Sequence, residues 1–97
     1  MAKIEVKHPF PGKSTSECYK ACLALVDKAG YKLFKKRDIA NLVICNGSVE
    51  GYPVDLSLMV PFGNPATVVV SLASEKSNET ILRAEMGRLI NLLVSSF

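Results

Sequence analysis

Cys18 and Cys22 stand four residues apart, so on a helix both thiols project from one face, and Cys45 on a separate segment can approach that face from a sheet. With His8, the one histidine of the chain, they form a nominal Cys3His set of the kind zinc binds tetrahedrally. Structural zinc sites usually hold paired cysteines in a knuckle or turn, however, and free cysteine is a common small core residue. Packing is therefore the leading reading of the thiols, with metal binding as the weaker one, and no cofactor is assigned. His8 precedes Pro9 at the end of an alternating segment, where a hydrogen-bonded structural role is expected. One histidine leaves one candidate base. No Ser-His-Asp order, paired-carboxylate constellation or cofactor fingerprint stands beside it, so the expectation is a protein without catalytic activity.

The basic residues offer a second chemistry. From Met1 to Asp38, nine Lys or Arg oppose four Asp or Glu, a balance of +5; from Ile39 to Phe97, three oppose five, a balance of −2; together they give the formal net charge of +3. Lys32, Lys35, Lys36 and Arg37 can meet phosphates, and Phe34 among them offers a stacking surface for a single-stranded base. Such a cluster near a strand end also discourages edge-to-edge pairing. A basic nucleic-acid-binding module is thus an alternative reading.

These residues must be positioned by short elements. Ile4, Val6, His8 and Phe10 alternate with Lys3, Glu5 and Lys7, the two-residue period of a half-buried strand, which Pro9, Pro11 and Gly12 bring to an end. Ser14 and Glu17 have the spacing of a capping box, and Cys18, Cys22, Leu25, Val26 and Ala29 then form an apolar helical stripe closed by Gly30. Strands are predicted over Tyr31 to Asp38, Leu42 to Val49, Val54 to Val60 and Ala66 to Leu72. Gly51 marks the turn after the second of these, while Asn46-Gly47 is a competing turn signal that can bulge or break that strand. Ser77 or Asn78 caps a final helix with its stripe at Leu82, Met86, Leu89, Ile90, Leu93 and Phe97. Gly87 inside that helix predicts a close approach to the sheet, with approach to another chain as the alternative.

The element order is β-α-β-β-β-β-α, an α+β domain in which two amphipathic helices cover one face of an antiparallel sheet. The other face is open. Phe34, Val43, Met59 and Val69 are expected there as an apolar strip bordered by polar groups, with Cys45 a further candidate, and contiguous patches of this type mark contacts with proteins or ligands. A strand, a capped helix, four meander strands and a long closing helix resemble the small domains of the TATA-binding-protein-like fold and a shortened START or pollen-allergen type helix-grip fold. The resemblance concerns element order over nearly the whole chain and implies no functional residues.

Length and composition bound the rest. At 97 residues the chain fits one domain with one core, and with 48% hydrophobic and 22% charged residues it is expected to fold. No apolar run reaches the length of a signal sequence core or a membrane span, and three cysteines cannot all pair within the chain, so a reduced, cytoplasmic setting without membrane association is expected. The leading expectation is a small binding or protein-interaction domain that self-associates through its open face or an edge strand. Nucleic-acid binding and carriage of a small apolar ligand are the alternatives.

Overall fold

The computed structural model describes residues 2–97. Its order is β1 (Ala2–Phe10), α1 (Thr15–Lys28), β2 (Lys32–Arg37), a 3-10 turn (Asp38–Ala40), β3 (Leu42–Val49), β4 (Tyr52–Met59), β5 (Ala66–Ser74) and α2 (Glu79–Val94). The strands form one antiparallel sheet in the spatial order β1-β5-β4-β3-β2, with the helices on one face, so the α+β reading holds.

Local chemistry sets the boundaries. The Ser14 hydroxyl accepts from the Glu17 amide while the Glu17 carboxylate accepts from the Ser14 amide, which satisfies two orphan donors at the start of α1. Gly30, at a φ of +81°, reverses the chain at its end: the Tyr31 amide donates to the Val26 carbonyl and the Gly30 amide to that of Asp27. Asn78 caps α2 through the Ile81 amide. Between β3 and β4, Glu50 and Gly51 both take positive φ, the pair that a twisted two-residue hairpin requires. The turn therefore falls there, and β3 runs unbroken through Asn46-Gly47.

The core lies between helices and sheet. Val43, Cys45, Leu56, Leu58, Val68, Val70 and Leu72 meet Cys18, Cys22 and Leu25 of α1 and Leu82, Leu89 and Leu93 of α2, all fully buried. Burying each such side chain contributes about 1.5–3 kcal/mol, so this layer dominates the stability of the fold. Two expected placements fail here. Val43 and Cys45 belong to the helix-covered face, because they pair with Leu58 and Leu56 and share that side of the sheet. Gly87 is exposed and has open space where a Cβ would stand, so it makes no close approach to the sheet.

Candidate functional site

Alternation and register fix which side chains reach the uncovered face. Directly opposed residues share a face, so the pairings trace three rows across all five strands. One row runs Lys3, Ala73, Asp55, Asn46, Lys32; the next Glu5, Ser71, Ser57, Ile44, Lys35; the third Lys7, Val69, Met59, Leu42, Arg37. Every row ends on a β2 cation. The middle is aliphatic or small and polar, with Asp55 as its one charge.

A bulge in β2 produces that cationic edge. Leu33 pairs with Cys45 and Lys35 with Ile44, so Phe34 is an extra residue that opposes no partner of its own. Strict alternation would place Phe34 on the open face and Lys35 on the helix side. The extra residue shifts the phase: Lys32, Lys35 and Arg37 come to the open face, Lys36 turns to the other side, and Phe34, without a register partner, is 68% exposed. Lys36 lies 3.8 Å from Asp38, an exposed pair of small energetic value.

Of the expected strip Phe34, Val43, Met59, Val69, the register removes Val43 and keeps Met59 and Val69 opposite each other, and Leu42 and Ile44, which sequence reasoning passed over, extend it. Their signal was present in the alternation of β3, but which of its two apolar sets faces the helices depends on the partner strands. Val69 is only 8% exposed although it lies on the uncovered side, whereas Met59 is 37% exposed. The surface is dished there. A trough of about 360 Å³ lies over Ile44, Ser57, Met59, Val69 and Ser71, with Lys3, Glu5 and Asp55 also in its lining. It continues past Met59 into a second hollow of about 460 Å³ beneath the loop that carries Phe62, a side chain 77% exposed.

Charge on this face is unbalanced. Lys3, Lys7, Lys32, Lys35 and Arg37 oppose Glu5 and Asp55, five against two, which equals the +3 of the entire chain. The remaining seven cations and seven anions cancel. Glu5 is engaged further by the Ser71 hydroxyl, which donates to it at 3.1 Å.

The other candidate residues lie elsewhere. Cys18, Cys22 and Cys45 are free, fully buried thiols. Burial pushes Cys22 up to about 12 and Cys45 up to about 11, so they hold their protons at neutral pH. His8 stands on edge strand β1, its ring 4.7 Å from that of Phe10 and its Nδ1 3.0 Å from the Pro9 carbonyl oxygen. Among the described residues no three His, Cys, Asp or Glu side chains are gathered as metal ligands, so the nominal Cys3His set is not assembled. No helix among them is long and apolar enough to cross a membrane.

A polar tie missed at the sequence level joins the layers. The Tyr31 hydroxyl donates to Glu85 Oε2 at 2.7 Å, and Arg88 holds both carboxylate oxygens at 2.8 Å while also donating to the Ala29 carbonyl. Every member is used in this network, which locks the end of α1 to α2.

No protein-family model and no curated protein matches the chain. Among solved structures, a crystal structure of TTHA0849 from Thermus thermophilus is similar to it at 10% sequence identity, over 97% of this chain and 91% of that one, with a TM-score of 0.39.

Proposed function

We propose that this chain is a non-catalytic interaction domain whose open sheet face docks an anionic partner. One observation carries the reading: the one sheet face that the chain's own helices leave uncovered holds the whole net charge of +3, with cations on its two edge strands, and dips between them into a shallow trough that has an apolar floor and Glu5 and Asp55 in its lining. Cations around a trough steer and orient an oppositely charged partner, while the apolar floor supplies area to bury. The element order that resembles the TATA-binding-protein-like fold belongs to the same proposal, since such a sheet would use its free face as the working surface, whereas a helix-grip arrangement would place a ligand between sheet and helix.

The edges favour the face over strand addition. β2 carries its lysines and a bulge, and β1 carries Lys3, Lys7 and Pro9, the devices by which edge strands resist pairing with another chain. Carriage of a small apolar ligand is less well supported, because the trough is open rather than enclosed and its rim is charged.

Nuclear magnetic resonance titration of the labelled protein tests the proposal. With polyglutamate or oligothymidylate at about 50 mM salt, amide signals of Ile44, Met59 and Val69 are expected to shift, and the shifts should fade by about 300 mM as the charges are screened. Absence of any effect at low salt, or shifts confined to α1 and α2, would reject it.

A further inference from the structure

We infer that the partner segment is an acidic amphipathic helix lying along the strands in the trough; this rests on the reading of the open face as the docking surface. Three observations converge on that shape. The floor offers aliphatic packing surface in Leu42, Ile44, Met59 and Val69 beside Ser57, Ser71 and Asp55, and none of the fifteen side chains in the three rows is aromatic, so a base would find a stacking ring only at the margins, at Phe62 and Phe34. The cations stand on the outermost strands, four inter-strand spacings apart, which is about 19 Å at about 4.8 Å each. A helix about 10–12 Å wide fits between such margins, with acidic flanks turned toward both.

Length agrees with width. Strands of eight or nine residues extend about 26–30 Å, the reach of a helix of about 18 residues, and the three charged rows cover the central ~13 Å of that length, about two turns of such a helix. A helix there would add the layer that this sheet has on its other side, and burying an apolar helical stripe against a sheet is how two-layer domains become three-layer ones. A second copy of this chain meets the site less well, because it would bring its own +3 face or the covered side of its sheet, whose outer helix surfaces are mixed in charge.

The test uses a synthetic peptide of about 18 residues with leucine at i, i+3, i+4 and i+7 and glutamate on the flanking positions. Its comparators are a scramble of the same composition and single-stranded oligothymidylate. Binding followed by fluorescence anisotropy at about 50 mM salt should be at least about tenfold tighter for the amphipathic peptide than for the scramble, with a gain of helical circular dichroism and shifts at Ile44, Met59 and Val69. Met59→Asp and the pair Lys35→Glu with Arg37→Glu should each weaken it by about tenfold or more. Lys20→Glu and Arg83→Glu, which reverse charges on α1 and α2, should leave it within about twofold. Unchanged thermal melts of Met59→Asp and of the Lys35, Arg37 pair keep loss of binding separate from loss of fold. Equal affinity for the scramble, or tighter binding of oligothymidylate to the same face, overturns the helix while leaving anionic docking in place. Failure of all three ligands to perturb the open face overturns both.

Discussion

A Cβ built at Gly47 would lie 2.6 Å from the Tyr31 ring, a separation real side chains do not tolerate. Tyr31 is buried and its hydroxyl bonds Glu85, so Gly47→Ala must move the ring and pull the hydroxyl from a buried carboxylate. Overpacking costs about 1–3 kcal/mol and loss of a hydrogen bond to a charged group about 1.5–3, so urea unfolding should show a loss of about 2–4 kcal/mol. A loss below about 1 kcal/mol would mean the ring relocates freely. Asn46-Gly47 is therefore misleading as a sequence signal. Glycine serves here to leave room for a ring 16 positions earlier in the chain, and that need is invisible in a dipeptide. Glu85 supplies a pH dependence. Burial works against its charge, yet the hydrogen bonds from Arg88 and Tyr31 outweigh burial and hold its carboxyl below the ordinary value of 4.5. A depressed folded-state value contributes stability that is present above 4.5 and is lost as pH falls through the lower value. Melting temperatures should thus fall as pH drops below about 4.5, and part of that fall should be missing in Glu85→Gln. Glu17, lowered by its bonds to Ser14, adds to the fall in both proteins. An identical acid slope in the variant would remove Glu85 from the account.

Elements were more legible than their faces. Capping at Ser14 and Asn78, the reversal at Gly30 and the two-residue alternation of β1, β4 and β5 are written locally, because each rests on residues within a few positions of one another. The bulge at Phe34 is not local. It is a property of how β2 pairs with β3, and one extra residue exchanges the faces of everything after it, which is why strict alternation fails to bring Lys35 and Arg37 to the open face. Gly87 was expected to permit a close contact, yet it lies on the solvent side of α2 with nothing near its missing Cβ. Replacing it should therefore have the opposite sign from replacing Gly47. Gly87→Ala removes backbone freedom from the unfolded chain at a helical position and meets no clash, so a gain of about 0.5–1 kcal/mol in urea unfolding is expected. A loss of stability would mean that the outer surface of α2 is covered by something this chain alone does not supply.

At the scale of the whole molecule, the sequence discloses a net charge of +3 but not its location, since that depends on the register of five strands at once. The placement bears directly on self-association. Two copies meeting through their open faces would bury the apolar floor around Met59 and Val69, which favours them, but would bring five cations and two anions against the same set, which does not. At about 50 mM salt the Debye length of about 14 Å spans much of the face, and repulsion should keep the chain monomeric. Near 1 M salt that length falls to about 3 Å, leaving the apolar term, so sedimentation should then detect a weak dimer that Met59→Asp abolishes. Salt would act in the opposite sense on an anionic partner, whose binding must weaken. A sharper form mixes the wild type with Lys3→Glu, Lys32→Glu, Lys35→Glu, which turns the face from +3 to −3: complementary faces should pair at low salt although neither protein dimerises alone. A wild-type dimer that is stable at low salt and indifferent to Met59→Asp would place self-association on another surface and leave the open face to a partner alone.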